Sequence, residues 1–304
     1  MQRRYALLDV FTDRPLAGNQ LAVVYDADGL DAGLMQAIAA EFRLSETVFC
    51  VTPGNAVHAA RLRIFTPGRE LPFAGHPTIG CAVALGLAKA DALEKPAELM
   101  VVLEEEVGPI RCGVSIANER SGRAVFDAPL KPEALPFASS RADIAAAIGV
   151  TPNEIGFENH LPSAFDAGVP YAFVPVRDLS VIGKAQVNPA RWTAAFPAPA
   201  SAAFVYCRES VSSSSRFHAR MFAPEIGIAE DPATGSAAAA FPGVILRFDE
   251  PPAGTYQYVI EQGFEMGRPS HIGVEVDVAR NGIAGVRISG HAVLIAAGVL
   301  SLDD

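Results

Sequence analysis

Phe73-Ala74-Gly75-His76-Pro77-Thr78-Ile79-Gly80-Cys81-Ala82-Val83-Ala84-Leu85 is written twice in this chain, the second time as Ala229-Glu230-Asp231-Pro232-Ala233-Thr234-Gly235-Ser236-Ala237-Ala238-Ala239. An offset of 155 residues pairs Ala74 with Ala229, His76 with Asp231, Pro77 with Pro232, Gly80 with Gly235 and Ala82 with Ala237. Upstream, an offset of 157 pairs Arg63-Ile64-Phe65-Thr66-Pro67 with Arg220-Met221-Phe222-Ala223-Pro224, and Val48-Phe49-Cys50 with Val205-Tyr206-Cys207. The pattern is that of an internal duplication with a two-residue gap.

Each copy has the chemistry of a buried helix start. A capping residue, His76 weakly and Asp231 strongly, precedes a proline at the first helical position, where a missing N–H costs nothing. The residues after the proline are small and apolar on every face, so other elements must enclose the helix. The free N–H groups of a buried helix end need partners, and the macrodipole favours an anion. Two such ends facing one cleft make a carboxylate-binding site.

Length and composition suit two domains of ordinary size: 304 residues, half of them hydrophobic, are enough for two cores. A net charge of −10 without a basic run argues against nucleic acid. The acidic run Glu104-Glu105-Glu106 reads as a solvated edge. Four scattered cysteines lack Cys-x-x-Cys spacing, and no apolar h-region follows Met1-Gln2-Arg3-Arg4, which predicts a reduced, cytoplasmic protein. Gly or Pro breaks each apolar run short of a membrane span.

In chain order, Tyr5–Phe11 and Leu21–Tyr25 read as a hairpin, 31–43 as a helix through Leu34, Ile38 and Phe42, and Thr47–Val51 and 58–65 as strands before the first buried helix. Strands come next near 99–104, 109–116 and 122–127. Ala128–Ser140, rich in Pro, Ala and Ser, is the linker, and after it the order repeats. The second half reads as a helix near 141–149, strands near 155–158, 171–176, 202–207 and 216–222, and the second buried helix, which Pro242-Gly243 is expected to kink or end. The Ser212–Ser215 run reads as a flexible loop. Strands near 256–262, 271–278 and 284–290 precede a last apolar segment, 291–301. The expectation is α+β: two pseudo-symmetric halves, each a curled mixed sheet around one central helix. The first comprises 1–128 with 291–304, the second 129–290.

The candidate chemistry lies in Glu46, His76 and Asp231, with Asn19 after Gly18 in a turn. Each has a plainer reading: a surface carboxylate at a strand start, a cap, an N-cap, a turn residue. The duplication sets His76 and Asp231 at equivalent helix mouths, which gives the functional reading its weight. No Walker loop, dinucleotide fingerprint or Gly-x-Ser-x-Gly elbow is present, and the six histidines lack metal-ligand spacing.

Leu44-Ser45-Glu46-Thr47-Val48-Phe49, Arg63–Pro67, Glu70-Leu71-Pro72-Phe73-Ala74-Gly75-His76-Pro77, Arg220–Pro224, Glu230–Ala237 and Gln262-Gly263 through Met266-Gly267-Arg268-Pro269-Ser270 together resemble the phenazine-biosynthesis PhzF-like family, which shares the diaminopimelate epimerase fold. The resemblance implies two domains with a substrate cleft between them, a homodimer, and no cofactor. The family's prototype isomerises trans-2,3-dihydro-3-hydroxyanthranilic acid by moving a proton. By the same resemblance Glu46, His76 and Asp231 are catalytic. Ser236 and the amides of Gly75 and Gly235 lie beside the substrate, and Asn19 and Thr234 complete the binding candidates. Related epimerases carry a cysteine at each helix mouth, and this chain has none there. The expected function is cofactor-independent proton transfer on a small carboxylic acid, with Glu46 as base and then acid. An amino-acid epimerase and a non-catalytic carboxylate-binding dimer are the alternatives.

Overall fold

The computed structural model describes residues 1–90 and 96–302; residues 303 and 304, assigned by sequence to the first half, lie outside them. The chain divides into two compact units, Met1–Pro129 with Ser289–Asp304, and Leu130–Ile288.

In the first unit β1 (Gln2–Val10), β2 (Asn19–Val24), α1 (Ala32–Phe42), β3 (Glu46–Val51), β4 (Ala60–Phe65), β5 (Glu70–Leu71), α2 (Gly75–Ala90), β6 (Ala97–Glu105), β7 (Gly108–Ile116) and β8 (Ser121–Asp127) succeed one another. The strand pairs are β1–β2 antiparallel, β2–β3 parallel, β3–β4 antiparallel, β4–β6 parallel, and β6–β7 and β7–β8 antiparallel. The end of the 20-residue strand β17 (Gly282–Ser301) runs antiparallel to β1, with Gln2 opposite Ser301 and Val10 opposite Ala292, and β17 also pairs with β8. The mixed sheet thereby closes into a barrel, and α2 runs inside it against β1, β2, β3, β6, β7 and β8. Small residues on α2 make that fit: a Cβ on Gly80 would come within 2.5 Å of Leu21 and 2.7 Å of Val10, and one on Gly86 within 2.9 Å of Val114. Outside the barrel α1 covers Val24, Phe49 and Phe65 through Met35, Ile38 and Ala39.

The second unit opens with β9 (Glu133–Leu135) and α3 (Arg141–Ile148) and then repeats this order, with two helices in place of α1: β10 (Ser163–Asp166), β11 (Pro170–Pro175), α4 (Leu179–Gly183), α5 (Pro189–Ala195), β12 (Ala202–Cys207), β13 (Phe217–Ala223), β14 (Ile228–Asp231), α6 (Gly235–Phe248), β15 (Gly254–Gln262) and β16 (Ser270–Ala279). Its pairs are β10–β11 antiparallel, β11–β12 parallel, β12–β13 antiparallel, β13–β15 parallel and β15–β16 antiparallel, the sequence of senses found from β1 to β7. The duplicated motifs have one structural role in both halves. Arg63 on β4 grips Glu70 with two bonds of 2.7 Å, and Arg220 on β13 grips Glu230 at 2.7 and 2.8 Å. Each guanidinium lies over the phenylalanine two residues on, at 5.2 Å and 4.9 Å from the ring.

Several expectations need correction. The helix does not end at Pro242: α6 continues to Phe248, every residue from Gly235 to Ile245 buried. Enclosure offsets the lost hydrogen bond, for Phe241 meets Phe173, Phe204, Tyr206 and Phe217 at 4.8–6.0 Å, and a Cβ on Gly243 would lie 2.4 Å from Phe165. The second half carries two helices, α4 and α5, beyond those expected. There Ile148, Val181, Ile182, Trp192 and Phe196 build a further core around α3, α4 and α5. No strand forms at 155–158, where Ile155 makes one isolated bridge to Val176. Residues 291–301 continue β17. The Ser212–Ser215 loop is tied to β15, because the Glu261 carboxylate accepts from the amides of Val211 at 2.5 Å and Ser212 at 2.9 Å. Finally, Glu104–Glu106 is no solvated edge. Glu104 accepts from the amides of Gly54 and Asn55, Glu105 is buried, and Glu106 alone is exposed.

Candidate active site

Parallel pairing brings the first group together. Because β2 and β3 run the same way, with Leu21 opposite Glu46, Asn19 and Glu46 open their strands at one end of the barrel. There α2 begins, with Gly75 and His76 as its first residues. His76 Nδ1 lies 3.3 Å from Glu46 Oε2 and 3.4 Å from the Asn19 amide nitrogen. The imidazole is almost wholly enclosed, and burial pushes its pKa down to about 3, against a smaller opposing effect of the Gln20 backbone. At neutral pH the pair is therefore a carboxyl group beside a neutral imidazole rather than an ion pair. Nε2 of His76 is buried and has no hydrogen-bond partner among the described residues. A neutral imidazole has one donor and one acceptor nitrogen, so it can hydrogen-bond to the carboxyl group with Nδ1 in either tautomer and leave Nε2 for a second partner.

The second group surrounds the start of α6. Asp231 is not the helix N-cap: it ends β14, and Thr234 takes the cap position. The Thr234 hydroxyl donates to Asp231 Oδ2 at 2.6 Å, which fixes one carboxylate oxygen. Gln262, at the end of β15 and fully buried, donates from Nε2 to the Asp231 carbonyl at 2.7 Å and to Thr234 Oγ1 at 3.0 Å, and accepts from the Thr234 amide at 3.1 Å. The next residue, Gly263, has φ +78°, and a Cβ there would meet the carbonyl oxygens of Pro232 and Arg268 at 2.5 Å, so only glycine lets the segments approach so closely. Ser236 Oγ lies 2.8 Å from the Tyr171 hydroxyl, and Gly235, first in the helix, is buried. Asp231, Thr234 and Ser236 are all buried as well.

Asn19, Glu46, Gly75 and His76 thus form one cluster in the first unit, and Asp231, Thr234, Gly235 and Ser236 one in the second. Sequence reasoning passed over Gln262 and Tyr171 as working residues. Gln262 had a signal, since it precedes a glycine inside a matching motif; Tyr171 had none. A third cluster has the outline of a metal triad, with ligand atoms of Glu158, His160 and Asp249 all within 4.8 Å of one another. The Arg208 guanidinium lies among them, 2.7 Å from Asp249, 3.0 Å from His160 and 3.1 Å from Glu158, and itself supplies the positive charge.

The architecture is a curled sheet wound around one buried helix, written twice, with a carboxyl group and an imidazole at the mouth of the first helix. The chain matches the model of the family described as phenazine biosynthesis-like protein, PhzC-PhzF, over residues 8–298, and it belongs to that family. It is 49% identical to an uncharacterized isomerase of Mesorhizobium japonicum over 98% of each chain. It is 33% identical to the trans-2,3-dihydro-3-hydroxyanthranilate isomerase of Pseudomonas aeruginosa, over 97% of this chain and 98% of the relative. Among solved structures, the Bacillus anthracis phenazine biosynthesis protein of the PhzF family superposes with TM-score 0.87 at 25% identity, over 99% of this chain and all of that one. A hydroxyproline epimerase of Agrobacterium vitis shares the fold, with TM-score 0.64 at 13% identity over 100% of this chain and 93% of that one. The protein is a PhzF-like isomerase.

Proposed function

We propose that the protein moves a proton on a small, cyclic, amino- or hydroxy-substituted carboxylic acid, without a cofactor, with Glu46 as the group that removes the proton and returns it. The observation that carries this reading is Glu46 Oε2 at 3.3 Å from a neutral, buried His76 Nδ1. A carboxylate acting as base must release its proton at another carbon, and an uncharged imidazole beside it can orient the substrate or relay that proton without fixing Glu46 in a strong ion pair. In the same reading Asp231 is a further catalytic candidate, and the substrate-binding candidates are Asn19 and the Gly75 amide in the first unit and Thr234, Ser236 and the Gly235 amide in the second, helix-start amides being suited to a carboxylate. Against a thiol-based epimerase stands the placement of the cysteines. Cys81 is a turn inside α2, fully buried with its sulfur 3.6 Å from that of Cys50. We further propose a cytoplasmic homodimer; four free, buried thiols accord with a reducing compartment. No helix among the described residues is long and apolar enough to cross a membrane.

The test is incubation with trans-2,3-dihydro-3-hydroxyanthranilate in heavy water, followed by mass spectrometry. Wild type is expected to isomerise it and incorporate deuterium, and Glu46→Gln to keep the fold while losing roughly 100-fold or more of the turnover. Turnover retained in Glu46→Gln removes Glu46 from the mechanism. Inversion at one carbon, with no shift of the double bond, would make the protein an epimerase.

A further inference from the structure

Glu105, the last residue of β6, is 6% exposed, and the reaction as proposed makes no use of it. It lies under the first turn of α2. Three oxygens stand in a row there: the Ala74 carbonyl, the Thr78 hydroxyl 2.8 Å from it, and Glu105 Oε1 2.7 Å beyond. Two hydrogen bonds in that row need two protons. The Thr78 hydroxyl brings one and the carbonyl none, and a protonated carboxyl group would supply the second, which lets both bonds form at once. The other oxygen, Oε2, is buried and has no hydrogen-bond partner among the described residues, which a neutral acid tolerates far better than a carboxylate. No cation among the described residues holds the group ionised; the titratable groups facing it are the thiols of Cys81 on α2 and Cys112 on β7.

The duplication supplies an independent comparison. The offset of 157 that pairs Arg63 with Arg220 also pairs Glu105 with Gln262. Both end a strand parallel to the arginine-bearing one, and both reach the threonine at the start of the buried helix. A carboxamide offers a donor on one side and an acceptor on the other, which Gln262 uses on Thr234 and Asp231. Only a protonated carboxyl group offers the same pair.

We infer that Glu105 is a positioning residue, kept as a neutral acid, that does for the mouth of α2 and its His76 what Gln262 does for the start of α6. Burial, outweighing the Thr78 hydroxyl and the Ala74 amide, pushes its pKa up to about 8, so the group stays protonated through neutral pH. Unfolded, it titrates near 4.5. The folded form therefore gives up stability as pH rises between those values, and a glutamine in its place does not.

The link to catalysis rests on the role proposed for His76, but the protonation itself is tested without substrate. Urea unfolding of wild type and Glu105→Gln is monitored from pH 4.5 to pH 9. The unfolding constant of wild type relative to the variant is expected to rise roughly tenfold per pH unit up to about pH 8 and then level off. The His76 imidazole, which does not itself titrate there, is expected to show an NMR shift near pH 8 in wild type and none in the variant. A stability difference flat across pH, or a Glu105 carboxyl signal titrating near 4.5 in carbon-13 spectra of the wild type, overturns the inference; the second measurement stands even if the variant does not fold. A pH-dependent stability difference with no deuterium exchange would leave Glu105 as inferred and sink the proposed reaction instead.

Discussion

His218 offers the most direct measurement of how the second unit is held together. Its ring lies between two carboxylates, Nδ1 at 2.7 Å from Glu261 and Nε2 at 3.0 Å from Glu265, and it is 1% exposed. Both nitrogens must donate, so the ring is an imidazolium. Burial alone would lower its pKa, but the bonds to Glu261 and Glu265 override this and push it up to about 9. From the ordinary 6.5, that shift corresponds to about 3 kcal/mol at about 1.4 kcal/mol per unit. Because the folded value is the higher one, this stability is fully present below pH 6.5 and is lost as pH rises through 9. Burial would raise Glu261 and Glu265, but the His218 contacts, with the Val211 and Ser212 amides at Glu261, shift both down; the His218 part is this same interaction seen from the other side and is not added. Trp192, the only tryptophan, is buried in the same unit, so its fluorescence during urea unfolding reports on that unit. Wild type is compared with His218→Gln at pH 6 and pH 10. At pH 6 the variant leaves a buried carboxylate without its cation and is expected to lose about 3 kcal/mol or more. At pH 10 the difference should shrink by about 3 kcal/mol. An equal difference at both values would show that no imidazolium is held there.

Gln262→Ala removes the hydrogen bonds that this side chain makes to the Thr234 amide and the Asp231 carbonyl, each worth about 1 kcal/mol, and should lower the urea midpoint of the Trp192 transition. Gly80→Ala drives a methyl group into Leu21 and Val10 inside the barrel, so calorimetry should show a loss of about 1–3 kcal/mol. Gly263→Ala should cost more, since its Cβ meets carbonyl oxygens of the backbone and its φ is positive.

The duplicated stretch carried most of the fold, because a run of small apolar residues behind a proline has few ways to be buried except inside a closed sheet. The added helices α4 and α5 were harder to see. They are five and seven residues long, too short for a helical period to stand out, and their order comes from packing Val181, Ile182, Trp192 and Phe196 into a common core. The reading of Asp231 as N-cap failed for a local reason. Pro232 comes next, but the helix waits until Gly235, and the Thr234 hydroxyl binds Asp231 Oδ2 instead of a helix amide. Glu105 was illegible for another: in a run of three glutamates, only strand alternation at the end of β6 decides which one turns inward, and the run alone does not reveal it.

The neutrality inferred for Glu105 bears on what the first helix mouth can bind. An ionised carboxylate under the first turn of α2 would itself be attracted to the positive end of the helix dipole, an effect of up to about 2 kcal/mol when partly buried. It would thereby occupy the charge a substrate carboxylate needs, and two carboxylates at one helix end repel each other. A protonated Glu105 avoids both. It keeps the hydrogen-bond frame of Thr78 and Ala74 in place, adds no negative charge, and leaves the helix-start amides to an incoming anion. The glutamine at the equivalent place in the second half meets the same requirement with a group that cannot ionise. If the two mouths bind acid groups, as proposed, a neutral donor–acceptor side chain beneath each is what their electrostatics require. Glu105→Gln should then keep its affinity for a carboxylate ligand above pH 8, where the wild type loses it.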